Sequence, residues 1–346
     1  MNRRSLFLVA VAATIVCMVA GPAFAQALAA AKASGTPAAW TSPHTADGVP
    51  DLQGVWTNAS SVPLERPKEL GAKEFYTDEE AARREKAAAE QAERALGGRQ
   101  TEPGTVADVH YDLSQYGLGR GQSKTAESKR TSLIVGPDGQ IPPLLPEAQK
   151  RQATRQAANR GHQWDGPENR SLSERCILWP NEGPPMLPVG YNGNLQIVQG
   201  AGYVAIEQEM IHDVRVIPTD GRPHAPASIH LLMGDSRGHW EGNTLVVDTT
   251  NFTDRTAFRG SGEKLHVIER FTRADDNTLR YEFTVEDPTA WARPWSAEIL
   301  MAKGDGPVYE YACQEGNYGM ANILSGARAT ERKAAEEAAA AKKSSN

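Results

Sequence analysis

The side chains best suited to chemistry lie in the second half of the chain. Residues 233–252, MGDSRGHWEGNTLVVDTTNF, bring Asp235, Arg237, His239, Trp240 and Glu241 into seven consecutive positions. Farther out stand His212, Asp248 and Glu269, each within a run of alternating polarity. Side chains of a strand alternate between its two faces, so parity sorts them. On 203–217, His212 and Gln208 fall with Val204, Ile206, Met210, Val214 and Val216, while Glu207, Glu209, Asp213 and Arg215 fall opposite. On 265–271, Glu269 falls with Leu265, Val267 and Phe271; on 244–252, Asp248 and Thr250 fall with Val246 and Phe252. His212, Glu269 and Asp248 are therefore expected as polar groups on apolar inner faces, the arrangement of a small-molecule site. Desolvation raises the pKa of a carboxyl, and an adjacent imidazole exchanges protons near neutrality. His212 and Glu269, with Asp248, would suit cofactor-free elimination, hydration or isomerisation. The bland alternative is a satisfied internal polar pair.

Two further sets would hold a substrate. Arg237 and His239 beside Trp240 read as gatekeepers at a barrel mouth, or else as an ordinary structured turn over Asp235–Gly238. Trp291, Arg293 and Trp295 share parity and could line one face, although Pro294 marks an edge or a bulge. Trp stacks on rings and Arg pairs with carboxylates, so an aromatic or anionic organic molecule is the expected partner, with Arg215 as a further anion contact. His224, His230 and His239, with Asp213 and Asp235, match no compact metal-ligand spacing, and no metal is expected. No dinucleotide fingerprint, Walker loop or nucleophile elbow occurs, and no cofactor is expected.

The elements that would position these groups are mainly β. From Asn194 onward the period is two, with runs at 195–198, 203–210, 244–252, 265–273, 279–286, 295–302 and 308–314. Gly200-Ala201-Gly202, Gly242-Asn243, Asp275–Asn277 and Lys303–Gly306 are the turns. At least seven sequential strands with short connections predict an antiparallel up-and-down barrel. Thr131–Val135 reads as one more strand, followed by a turn over Gly136–Gly139. Helices are predicted at 77–96, capped by Thr77 and stopped by Gly97-Gly98, and at 146–160, opened by Pro146. Residues 99–130 read as a long loop. The tail from Thr330 is charged and Ala-rich, a frayed helix or disorder.

The N-terminal 25 residues have the make-up of a signal peptide: Arg3-Arg4, an apolar run over 6–20, and Ala23-Phe24-Ala25 before a cleavage point at Gln26. Residues 26–48 read as a flexible lead and 49–329 as one barrel domain. A periplasmic or secreted location follows. It makes a Cys176–Cys313 disulfide the natural pairing, against two buried thiols. Losing Arg3 and Arg4 takes the formal charge from −6 to −8, which disfavours nucleic acid. The mature chain holds no segment apolar enough to span a membrane as a helix. Oligomeric state is not legible.

The runs PDLQGVWT, GPDGQIPPLLPEAQKR, RCILWPNEGPPMLP, NLQIVQ, DGRPH, GHWEGNTLVVDTTNF, LHVIERF, EDPTAWARPW and YEYACQEGN, in that order, resemble a broad family of exported bacterial proteins with no settled activity. The resemblance covers most of the mature chain. It implies a lipocalin-like β-barrel and supplies no catalytic residue. Three functions are carried forward: a cofactor-independent lyase, hydratase or isomerase; a periplasmic ligand carrier; and a structural envelope protein that docks a partner through its charged helices.

Overall fold

The computed structural model describes residues 40–96, 125–189, 192–256 and 258–344. The expected signal peptide, most of the flexible lead, the Gly97-Gly98 helix stop and the loop through residue 124 lie outside them. The barrel belongs to the compact unit Ser42–Asn346.

Nine antiparallel strands form one sheet: β1 (Gly54–Thr57), β2 (Asn194–Gly200), β3 (Tyr203–Gln208), β4 (Val214–Pro218), β5 (Asp235–Glu241), β6 (Thr244–Thr250), β7 (His266–Arg273), β8 (Thr278–Glu286) and β9 (Trp295–Lys303). Their order is β4-β3-β2-β1-β9-β8-β7-β6-β5. The end strands β4 and β5 come alongside each other, giving a nearly closed, lipocalin-like antiparallel barrel as expected. Because every paired neighbour is antiparallel and the count is odd, β4 and β5 run in the same direction. Their seam carries no ladder, and residues 219–234 must cross back the length of the sheet to join them.

At the seam the chain has little room. A Cβ on Gly238 of β5 would stand 3.0 Å from Ile217 Cγ2 and 3.0 Å from Thr219 Cγ2. This explains why Asp235–Glu241, whose first part through Gly238 was expected as a turn, is a strand without apolar alternation: its inward positions are Ser236, Gly238 and half-buried Trp240. The Gly242-Asn243 turn joins it to β6, with Glu241 opposite Thr244.

Inside, alternating positions close-pack. Trp56, Ile197, Ile206, Val247, Phe271, Tyr281, Phe283 and Ile299 are all buried. Trp56 Nε1 donates to Leu52 O at 3.0 Å, fixing the first strand against the core. Residues 131–135 are not a full strand. They meet β9 through the single bridge Ile134↔Ala297, filling the edge beyond the short β1. Residues 308–314 are irregular as well. There the chain is held by the Cys176–Cys313 disulfide rather than by a ladder.

Among the described residues three α-helices lie outside the sheet: α1 (Asp78–Leu96), α2 (Pro146–Asn159) and α3 (Tyr318–Ser344). Thr77 and Glu80 form a capping box at α1: the Glu80 N–H donates to Thr77 Oγ1 at 3.3 Å and the Thr77 N–H to Glu80 Oε2 at 2.8 Å. The tail expected to fray from Thr330 is part of α3, which begins at Tyr318 and buries no residue. Among the described residues no helix is long and apolar enough to cross a membrane.

Candidate functional site

The barrel interior holds one charged pair. Glu269 on β7 has no exposed surface and receives both arms of the Arg215 guanidinium from β4, Nη1 to Oε2 at 2.5 Å and Nη2 to Oε1 at 3.0 Å. Tyr281 OH donates to Glu269 Oε1 at 2.8 Å and accepts the Met186 N–H at 2.8 Å. Burial works against the Arg215 charge, but Glu269 outweighs it and holds the guanidinium proton more tightly than usual. Burial, reinforced by Glu269, pushes the Tyr281 phenol well above its ordinary range. Both Glu269 oxygens are thus committed, and Tyr281 packs between Phe271 and Phe283, centroids 4.9 and 5.7 Å away.

His212 does not join this pair. Ile211 (φ 63°) and His212 (φ 60°) adopt left-handed backbone in a single 3₁₀ turn between β3 and β4. That turn shifts parity by one residue, as a one-residue slip must. Arg215, expected outside, points inward; Val214 and Val216, expected inside, are 48% and 58% exposed. His212 sits on the outer side, its Nε2 3.1 Å from Glu207 Oε1.

Asp248 also lies on the outer face, since Leu245, Val247 and Thr249 take the inner positions of β6. There it anchors a strip. His224 Nδ1 lies 2.9 Å from Asp235 Oδ2 and its Nε2 2.9 Å from Asp248 Oδ1. His266 Nε2 lies 2.7 Å from Asp248 Oδ2, and its Nδ1 3.5 Å from Glu286 Oε2. Arg237 Nη1 donates to Asp235 Oδ1 at 2.7 Å, and its Nε to Pro223 O at 2.9 Å. The strip pins the crossover 219–234 onto β5, β6 and β7. The hydrogen bond from His266 holds the Asp248 carboxyl below its usual range, and Asp248 in turn raises His266. Among the described residues no cluster of His, Cys, Asp and Glu is arranged to hold a metal ion.

The remaining sequence candidates separate. Exposed His239 pairs with Glu241 at 3.1 Å, and Trp240 packs on the core rim. Trp291 and Trp295 are buried edge to face, centroids 5.8 Å apart, whereas Arg293 turns outward to Asp138 at 3.1 Å. They do not share a face, because 287–291 is a turn: the Ala290 and Trp291 N–H groups both donate to Asp287 O.

Two features carry no period-two signature and were missed. One is Glu182, 3% exposed, in the loop Trp179–Leu187. Its Oε2 accepts the Trp179 N–H at 3.2 Å, its backbone oxygen accepts Gln208 Nε2 at 2.5 Å, and its Oε1 has no partner. Burial pushes its carboxyl up to about 8, against the opposing Trp179 hydrogen bond. The other is a groove of about 710 Å³ lined by parts of this loop, by parts of 155–175 and by Arg255, Thr256, Phe258 and Arg259. Arg155, Arg170, Arg175, Arg255 and Arg259 line it, together with Trp179, Phe258, Leu172 and Pro184–Pro185. The groove thus sets five cations beside apolar walls.

Comparison of the chain with family models, curated proteins and solved structures finds no match to any of them.

Proposed function

We propose that this chain is an exported carrier that binds a small organic molecule in the groove lined by 155–187 and 255–259. The observation that carries it is the groove itself: its volume falls within the few hundred to roughly 1,000 Å³ of small-molecule sites, and its lining sets apolar walls of Leu172, Trp179, Pro184, Pro185 and Phe258 beside arginines and amides. The Cys176–Cys313 disulfide, between cysteines separated by 137 in sequence, supports an oxidising destination, periplasmic or extracellular. The acid–base reading gains no support, because Glu269 is occupied by Arg215 and Tyr281 and His212 faces Glu207.

Native mass spectrometry of the full chain, expressed with export, tests the carrier reading. A small molecule should be retained by the wild type and lost from Thr256→Trp, which fills the groove where Thr256 lines it. Retention undiminished in Thr256→Trp, with the fold intact by circular dichroism, would refute it.

A further inference from the structure

The groove's charges are unevenly answered. Arg155 meets Asp254 at 3.1 Å and Arg170 meets Glu174. The guanidiniums of Arg175, Arg255 and Arg259 make no ion pair or hydrogen bond among the described residues, and Glu168 is the only acid among the described lining residues. Arg259 does lie over the Phe258 ring, 6.0 Å from its centroid, but none of the three meets an acid, and cations without counter-charges along one concavity favour an anion there.

Arg259 is the most specifically placed of the three. Its backbone is left-handed (φ 48°, ψ 33°), a conformation that is costly for a non-glycine residue and that persists where surroundings impose it. Those surroundings are visible on both sides. Phe258 stacks on Trp295, centroids 6.1 Å apart and planes 18° off parallel. Gly260 (φ 94°) lies so close to Leu144 that a Cβ would come within 2.8 Å of Leu144 Cδ1. The strained residue is therefore held on rigid neighbours, as an anchoring group needs to be. The Arg259 residue is exposed, yet protein around its guanidinium removes enough water to lower its pKa; Glu65, acting at longer range, opposes this only in part.

The walls argue for the rest of the ligand. Trp179, Phe258 and two consecutive prolines offer flat apolar surface on which a ring can lie. Resting on the reading of the groove as a binding site, we propose that its occupant is an aromatic anion whose charged end is held by Arg259, supported by Arg255 and Arg175. Carboxylate and phosphate-monoester heads share the chemistry of a guanidinium fork.

Titration calorimetry of the full chain with 2-naphthoate, 2-naphthyl phosphate, neutral 2-naphthylmethanol and inorganic phosphate tests it. At least one aromatic anion should bind, with the alcohol weaker by about thirtyfold, the worth of one charge-assisted contact. Affinity for the anion should fall as salt rises. Arg259→Gln should lower it by about thirtyfold, and Arg255→Gln by a smaller factor, with unchanged thermal midpoints of the free proteins. If the alcohol binds as tightly as the anions and Arg259→Gln changes nothing, the anion proposal falls while the groove reading stands. If inorganic phosphate binds as well as the aromatic anions, the aromatic class falls. If none of the four binds, the proposal and the groove reading fail together.

Discussion

Replacing Glu269 with Gln separates a structural role from a catalytic one. A catalytic glutamate changed to glutamine abolishes turnover and leaves the fold as stable as before. Here Glu269 is fully buried and answers the 7%-exposed Arg215, whose Nε has no partner of its own. The variant leaves a buried guanidinium facing a neutral amide, whose NH₂ group confronts the guanidinium donors. Breaking a buried pair from one side costs about 3–5 kcal/mol. With a urea slope of about 3 kcal/mol per M, the unfolding midpoint should fall by about 1–1.7 M. The double variant Arg215→Met/Glu269→Leu removes both charges and should recover most of that loss, because paired hydrophobic replacements of buried ion pairs are often neutral. Chemical denaturation followed by tryptophan fluorescence measures all three. A midpoint for Glu269→Gln within about 0.2 M of wild type, or a double variant no better than the single, would refute the structural assignment and reopen the catalytic one.

Two predictions concern pH. Glu182 keeps its proton up to about 8 in the fold, whereas an unfolded glutamate loses it near 4.5. Since the native state binds the extra proton between those values, Glu182 removes stability as pH rises across that window, by about 1.4 kcal/mol per unit. Glu182→Gln should accordingly be neutral at pH 4 and stabilising by about 3 kcal/mol at pH 7; a pH-independent difference in denaturation midpoints would overturn this. For His266 the sign is the opposite of a depressed carboxylate. Its raised pKa adds stability that is complete below 6.5 and is lost as pH climbs through the folded value. The pair is partly exposed, so His266→Gln should lose under about 1 kcal/mol at pH 5.5 and almost nothing at pH 8.5. A loss of equal size at both values counts against it.

What the sequence exposed depended on whether backbone geometry stayed regular. Leu265, Val267, Glu269 and Phe271 alternate without a break, and Glu269 was correctly placed inside. The same rule misplaced His212, because two consecutive non-glycine residues, Ile211 and His212, turn left-handed, and no residue type marked that reversal. It misplaced Asp248 because β6 is buried on part of both faces, Val246 lying 5% exposed on the outer side. Strand β5 was hidden for a steric reason: where Ile217 and Thr219 press on Gly238, the inward positions cannot be large and apolar. The groove was illegible because its walls come from segments about a hundred residues apart, with no period to connect them.

The topology explains which polar groups remain available for binding. Nine strands with antiparallel neighbours leave one parallel seam without backbone hydrogen bonds, between β4 and β5. Side chains must hold it. From inside, Arg215 of β4 reaches past β5 and β6 to Glu269 on β7. From outside, His224 of the crossover grips Asp235 and Asp248, and Arg237 grips Asp235 and Pro223. Of the candidates drawn from the reactive stretch 233–252, Asp235, Arg237 and Asp248 are engaged in holding the crossover over this seam, while Glu241 pairs with His239 and Arg270. Their donors and acceptors are already matched to one another, so a ligand would have to break existing hydrogen bonds to use them. At the groove the accounting differs. Arg175, Arg255 and Arg259 have no matched acceptors among the described residues, so an incoming anion would gain contacts there without displacing any. Binding is favoured where the fold has not already consumed the polar groups.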